Sequence, residues 1–466
     1  MPSTPQPGFD ALSLSPATLE NLRRLGYLEM TAIQAASLPP ALLGKDLIAQ
    51  AKTGSGKTAA FALALLANLD ARRFAVQALV LCPTRELADQ VTTEIRRLAR
   101  AEDNIKVVTL SGGVPLRGQA ASLERGPHIA VGTPGRILDH LERGNLQLDA
   151  LNTLVLDEAD RMLDMGFFDD IAKVARQCPA KRQTLLFSAT YPEGIAKLAA
   201  QFLRDPVTVK VEAQHAGEQI AQRWYEVGER ERLPAVAKLL DHFRPASTLA
   251  FCNTKARCRE LVELLQAQGY SALALHGDLE QRERDQVLVR FANGSCSVLV
   301  ATDVAARGLD VAGLAAVINV DVTPDPEVHV HRIGRTGRAG ETGLALSLAS
   351  LDEMGAVGRI EQLQGRASEW HPLAELTPAD GGRLLPAMAT VHIQAGRKEK
   401  IRPGDVLGAL TADFGYAREQ VGKIDINEFA TYVAVQRAIA GEVVARLNEG
   451  RIKGRGVKAR LLKDGA

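Results

Sequence analysis

The sequence is poor in cysteine and in aromatic residues, shows no excess of either charge, and has no long apolar run. Its five cysteines, at 82, 178, 252, 258 and 296, are widely spaced and form no Cys-x-x-Cys pair. An odd, scattered set excludes a disulfide framework and a zinc site, so buried free thiols in a reducing compartment are expected. Aromatics make up 4% of the chain against 46% hydrophobic residues, so any core must be aliphatic, built on Ala, Leu and Val. The net charge of +1 excludes a general polycation. No window reaches the roughly eighteen apolar residues of a membrane span. Residues 1–9 lack the apolar segment of a secretory signal. A cytoplasmic, monomeric protein with no membrane partner is therefore expected.

What is present is length and rhythm. At 466 residues, three domains are the natural division. Short apolar runs at 78–81, 129–131, 154–156 and 184–187 alternate with longer amphipathic stretches such as 85–99. Strands alternating with helices predict a parallel sheet covered on both faces. The rhythm restarts after residue 220, with strands expected at 248–252, 297–301 and 316–320. A polar linker is expected at 212–218. A second break at 372–388 is rich in Pro and Gly. Beyond it, strands are expected at 391–393, 422–426, 429–435 and 457–462, with helices at 404–413 and 437–447. That is a β-α-β-β-α-β order of the ferredoxin-like kind. The fold class is thus α/β: two tandem parallel-sheet domains, 1–212 and 219–372, then a small α+β domain, 389–466.

The run Ala51-Lys52-Thr53-Gly54-Ser55-Gly56-Lys57-Thr58 follows an apolar strand and opens a helix. Except that Ala51 replaces the first glycine, it matches a phosphate-binding loop. Glycines let backbone N–H groups curl around phosphate, and the helix N-terminus adds its dipole. Lys57 then reaches the β- and γ-phosphates of ATP, and the Thr58 hydroxyl holds Mg²⁺. A plain glycine-rich turn is the alternative. Asp157-Glu158-Ala159-Asp160 ends a strand, where open α/β sheets bind ligands. Two acids there can simply cap a helix. With a phosphate loop one hundred residues upstream, Asp157 is read as a second Mg²⁺ ligand and Glu158 as the group that activates water. His331-Arg332-Ile333-Gly334-Arg335-Thr336-Gly337-Arg338 gathers three arginines. Planar, always charged guanidinium groups suit phosphate oxygens, so the loop is read as a source of cations for an ATP site split between two domains, with a surface basic patch as the alternative.

In this order, the motifs resemble those of the DEAD-box RNA helicases over residues 9–370. The resemblance implies two RecA-like domains and an RNA-dependent ATPase that separates short duplexes. Phe9, Gly26-Tyr27 and Thr31-Ala32-Ile33-Gln34 look like the adenine-reading motif, with Gln34 on the base and Phe9 stacked on it. Met30 stands where the family usually has Pro, which implies a local packing change. The resemblance also implies that Thr53, Gly54, Ser55 and Gly56 join Lys57 and Thr58 around the phosphates, that Arg335 and Arg338 complete the phosphate site, and that Asp303 meets the ribose. Ser188-Ala189-Thr190 resembles the motif that couples ATP state to RNA. On the RNA strand, the resemblance implies Arg85, Gly113, Thr133, Gly135, Arg136, Thr254, Arg284 and Thr302. Hydroxyls, guanidinium groups and exposed backbone N–H suit phosphate and ribose, which position RNA without reading sequence.

The third domain is similar to an RNA-recognition motif with a thin stacking platform. His392 stands where an aromatic is expected, and strand alternation puts Phe429, Thr431 and Val433 on one face and Tyr432 on the other. From 437 to 466 there are 8 Lys/Arg and 3 Asp/Glu, so RNA contacts are expected to shift to Arg451, Lys453, Arg455, Lys458 and Arg460. The three-part layout resembles the bacterial DbpA subfamily, which implies a hairpin of large-subunit (23S) ribosomal RNA as target and pre-ribosomal particles as partners. The competing readings are an ATP-gated RNA clamp and a general RNA chaperone without ribosomal preference. His242, His371 and His392 show no metal spacing. Trp224 and Trp370 are expected to pack near domain edges.

Overall fold

A computed structural model describes residues 7–462, apart from 52–53, 103, 192, 212–219, 307–312, 338–342 and 381–383. The expected linker at 212–218 lies outside the described residues. The chain divides into two compact units, residues 1–214 and 215–466.

Seven parallel strands form the first unit: β1 (Leu47–Gln50), β2 (Ala78–Leu81), β3 (Val107–Leu110), β4 (Ile129–Gly132), β5 (Thr153–Leu156), β6 (Gln183–Ser188) and β7 (Val207–Lys210). Strands β2, β4, β5 and β6 are buried along their whole length, as strands covered on both faces must be. The covering helices show why the sequence coils there. In the Arg85–Leu98 helix, Thr84 caps the N-terminus by accepting from the Leu87 N–H. Its buried positions, Ala88, Val91, Thr92, Ile95 and Leu98, recur at helical spacing. Each buried Leu or Ile contributes about 1.5–3 kcal/mol. The core is aliphatic as expected, with Phe61 and Phe187 edge-on at 5.4 Å as its aromatic pair. Met30 is buried in that core.

The second unit holds another seven-stranded parallel sheet: β8 (Ile220–Glu226), β9 (Thr248–Phe251), β10 (Ala272–Leu275), β11 (Val298–Ala301), β12 (Ala316–Asn319), β13 (Gly343–Ala349) and β14 (Trp370–His371). Trp224 is buried and stacks on His329 at 5.3 Å, with Trp370 tilted against it at 5.8 Å. Both tryptophans pack, as their positions implied. All five cysteines are free and buried.

The same unit carries a four-stranded antiparallel sheet ordered β16-β17-β15-β20: β15 (Met388–Ile393), β16 (Val421–Ile426), β17 (Thr431–Gln436) and β20 (Ala459–Leu461). A short hairpin of β18 (Arg451–Ile452) and β19 (Arg455–Gly456) precedes β20. Three expectations are corrected here. The strand expected from 429 begins at Thr431, because residues 427–430 close a turn in which the Asn427 N–H donates to the Ala430 carbonyl. The strand expected from 457 begins at Ala459, the hairpin taking up the residues before it. The helix expected over 404–413 is regular over Pro403–Gly408 and widens into a π-turn at Ala409–Asp413.

One face of this sheet, with Val391, Ile393, Val433 and Val435, packs into the small domain's own core. The opposite face carries Thr390, His392 and Tyr432, yet all three are at most 2% exposed. What covers them is the Gln281–Ala292 helix and the turn after it. Asn293 Nδ2 donates to Thr390 Oγ1 at 2.9 Å, and Ser295 Oγ lies 2.9 Å from the same hydroxyl. Tyr432 is hydrogen-bonded to Gln286 of that helix. The His392 ring is tilted against Tyr432 at 5.1 Å, and neither of its ring nitrogens has a hydrogen-bond partner among the described residues. Burial, with Arg460 and Arg282 adding to it, lowers the His392 pKa, so the ring is neutral.

Candidate nucleotide and RNA sites

The strand order sorts the motifs before any side chain is considered. The first sheet runs β3-β4-β2-β5-β6-β1-β7. The loops leaving β1, β5 and β6 carry the phosphate loop, Asp157–Asp160 and Ser188–Thr190; these three strands are adjacent. The loops leaving β3, β4 and β2 carry Gly113, Thr133–Arg136 and Arg85; these are adjacent too. In a parallel sheet all these loops emerge at the strands' C-terminal ends, where such folds bind ligands. The strand order thus groups the residues expected at nucleotide along one edge and those expected at RNA along the other. The second sheet, β10-β11-β9-β12-β13-β8-β14, repeats this, with Arg284, Thr302 and Thr254 after β10, β11 and β9.

In the phosphate loop, Gly54 and Gly56 have φ of +82° and +93°, a region that side chains disfavour. Gly56 caps the Lys57–Ala67 helix. A Cβ on Gly56 would lie 2.6 Å from Gln34 Nε2. Lys57 Nζ and Ser55 Oγ are buried and have no hydrogen-bond partner among the described residues. Buried donors aimed into a glycine cradle need an anion, because an unmade bond costs about 1–3 kcal/mol. Thr58 is on the first turn of the helix. Thr53, expected here, lies outside the described residues.

Asp157 is 3% exposed. Burial pushes its carboxyl up to about 7, the Lys57 ammonium pulling it down and Glu158 pushing it up. Glu158 is held at φ +48°, strained for a side chain with a Cβ. Asp160 joins two motifs. Its Oδ2 accepts from the N–H groups of Ala189 and Thr190, at 3.1 and 2.9 Å, and from Thr190 Oγ1 at 3.0 Å. The Asp160 N–H donates to Ser188 Oγ. Sequence reading passed over Asp160; its signal was the fourth position of the acidic run.

Gln34 and Phe9, expected at the adenine, both have partners within the protein. Gln34 is engaged at both ends: Oε1 accepts from the Thr31 N–H at 2.9 Å and Nε2 donates to the Gly56 carbonyl at 3.1 Å. It ties the preceding helix to the phosphate loop. Phe9 is 4% exposed and edge-on to Tyr27. With its ring in the core, stacking on adenine requires its 3₁₀ turn to move.

On the RNA edge, the Arg85 guanidinium lies over Gly112, where a Cβ would meet it at 2.7 Å. Gly113 has φ +78°. Thr133 caps the Pro134–Glu142 helix, and Gly135 is exposed on its first turn. Arg136 is braced by the Val114 carbonyl at 2.9 Å and Gln119 Oε1 at 2.8 Å. In the second unit Thr254 caps a helix and stands exposed. Arg284 donates to the Ala305 carbonyl at 2.7 Å, and Thr302 is half-buried.

Arg332 was the residue sequence reading missed. Its guanidinium binds both oxygens of Asp303 and donates to the Asp321 carbonyl and to Asn253 Oδ1. Its signal was the spacing His329, Arg332, Ile333, one buried helical stripe. Asp303, read as a ribose ligand, is thereby fixed in place with lone pairs to spare. Arg335 is 7% exposed. Arg338 lies outside the described residues. The five basic residues expected in the third domain, Arg451, Lys453, Arg455, Lys458 and Arg460, are all exposed. They do not form one cluster: Arg460 stands opposite His392 on β15, whereas Lys453 turns back to the Lys400 carbonyl and Asp405.

Three stretches of the chain match known families. Residues 31–198 match the DEAD/DEAH box helicase family, 231–340 the helicase conserved C-terminal domain and 390–461 the DbpA RNA binding domain. The chain is 54% identical to the ATP-dependent RNA helicase DbpA of Escherichia coli over 97% of its length and 98% of that protein's. It is 46% identical to the DEAD-box ATP-dependent RNA helicase CshA of Geobacillus kaustophilus, over 78% of this chain and 77% of the other. Among solved structures, S. cerevisiae Dbp5 bound to RNA and ADP BeF3 superposes with a TM-score of 0.71 at 30% identity, over 78% of this chain and 96% of that one.

Proposed function

Because this chain belongs to the DEAD-box ATP-dependent RNA helicases, we propose that it hydrolyses ATP on RNA, separates short duplexes, and does so on large-subunit ribosomal RNA through its C-terminal domain. The observation that carries the ATPase half is the pair of orphaned buried donors, Lys57 Nζ and Ser55 Oγ, in a glycine cradle beside Asp157. ATP phosphates satisfy both donors. Asp157 and the Thr58 hydroxyl are hard oxygen donors that fit Mg²⁺, which when bound would offset phosphate charge. A divalent cation also removes the cost of ionising a buried carboxylate. Glu158 orients the attacking water, and Arg335 and Arg338 serve the same phosphates. Asp303 takes the ribose, and Gln34, once released from Gly56, the adenine.

The RNA half rests on donors that grip a backbone and read no sequence. Choice of RNA is then left to the C-terminal domain, which matches a family described as RNA binding along its length. The protein acts as a monomer in the cytoplasm, on pre-ribosomal particles. The test is ATPase activation of the full chain by 23S ribosomal RNA against an unrelated RNA of equal length. Stronger activation by the ribosomal RNA is expected. Equal activation leaves a general RNA helicase and removes the ribosomal target.

A further inference from the structure

The face of the C-terminal sheet that could offer stacked rings is occupied. Thr390, His392 and Tyr432 lie under the Gln281–Ala292 helix, and the buried Asn293–Ser295–Thr390 cluster holds them there. An RNA base could reach His392 or Tyr432 only after that contact was broken. A domain that grips RNA must therefore offer another surface.

Phe429 provides it. The ring is 59% exposed, in a domain whose other large apolar side chains are mostly covered. Leaving a Phe in water forgoes about 1.5–3 kcal/mol of burial, so the position does nothing for folding. The ring stands on a braced platform. The Arg397 and Lys398 N–H groups donate to the carbonyls of Asn427 and Glu428, at 2.9 and 3.0 Å. Gly396 lets the two loops touch backbone to backbone, since a Cβ there would lie 2.4 Å from the Asn427 carbonyl. Lys398 Nζ sits 4.1 Å from the ring centroid and 3.7 Å from Glu428 Oε1, an exposed pair that a phosphate can displace. Lys453 closes on the same corner through the Lys400 carbonyl at 3.1 Å, and Arg397, Lys398, Lys400 and Lys453 are all exposed.

We propose that the C-terminal domain takes an unpaired RNA nucleobase on the exposed ring of Phe429, with Lys398 meeting the adjoining phosphate. Lys398 lies over the ring, which is still 59% exposed and so has surface for a base. Stacking on a bare ring tolerates any base, so this contact reads unpaired character and not identity. The inference rests on the reading that the domain binds RNA, but not on which RNA it prefers.

The experiment measures affinity of the full-length protein for a 23S ribosomal transcript and for an unrelated transcript, each carrying 4-thiouridine for crosslinking. Phe429→Ala is expected to weaken binding about 5- to 150-fold on whichever RNA the wild type holds, the range of one lost stack. Phe429→Trp should keep wild-type affinity. The crosslinked peptide should contain residue 429. Unchanged affinity in Phe429→Ala, equal loss in both variants, or crosslinks confined to β15 and β17 would each overturn the proposal. Absence of any preference between the two transcripts would count against the ribosomal target alone, because the Phe429 comparison is made on each RNA separately.

Discussion

Arg332 and Asp303 meet in a two-pronged salt bridge, Nε to Oδ1 and an η-nitrogen to Oδ2, both at 2.7 Å. The same guanidinium reaches the Asp321 carbonyl at 2.7 Å and Asn253 Oδ1 at 2.9 Å. Asp321 Oδ2 in turn accepts from the Asn253 N–H. One buried fork thus gathers the loops after β9, β11 and β12. Removing it strands several buried polar groups at once. Arg332→Ala should destabilise the second unit by about 3–5 kcal/mol, and Arg332→Lys by less, since an ammonium keeps the charge and loses the fork. Urea unfolding of the full chain reads this; a loss under about 1 kcal/mol, the size of an exposed pair, would show the fork to be dispensable.

Asp157 should make the first unit sensitive to pH in an unusual direction. Its carboxyl is pushed up to about 7 by burial, above the unfolded value of about 3.9. Between those values the folded state holds the extra proton. Its contribution to stability is therefore present at low pH and lost as pH rises toward 7. Asp157→Asn should flatten that slope and raise stability at pH 8 by about 1–3 kcal/mol, while abolishing nucleotide turnover. An Asn variant less stable than wild type at pH 8 would contradict this.

Thr190→Val removes the hydroxyl bond to Asp160 and leaves the backbone bonds. Hydrolysis on RNA should persist, whereas duplex separation should fall about tenfold or more, the worth of one charge-assisted hydrogen bond. Parallel assays of phosphate release and strand displacement decide it. Equal losses in the two would mean the contact serves stability and not coupling.

Lys57→Ala and Glu158→Gln should fail differently. The first should lose ATP affinity, because it removes the buried, unpartnered ammonium proposed to hold phosphate. The second should bind ATP and RNA, with turnover lowered by about 10²–10⁴. Nucleotide titration followed by single-turnover hydrolysis separates the two. Normal turnover in Glu158→Gln would remove it from catalysis.

The central strands of both parallel sheets were legible because they are short apolar runs, whereas β8 and β14, which carry Gln, Arg, Trp and His, were not. Local sequence carries that information. Arg332 was harder, since an arginine in a basic loop looks like a phosphate ligand until its helix is seen to face inward. Phe9 and Gln34, expected at the adenine, also serve a core and a capping box, which motif spacing does not reveal. The C-terminal sheet was misread at Phe429, where strand propensity runs on past a turn fixed by backbone bonds. Its polar face reads as open to solvent or RNA, because the groups that cover Thr390 lie 97 and 95 residues away.

That cover bears on heredity and on engineering. A small RNA-binding domain at the end of a helicase looks like a module, free to be exchanged between relatives. Here its rear wall is shared property. Moved to another helicase without the Gln281–Ala292 helix, Asn293 and Ser295, it would arrive with the Thr390 hydroxyl unanswered and His392 and Tyr432 bare. Substitutions in β15 must then be matched by the residues that cover it, and a working chimera would have its joint upstream of residue 281.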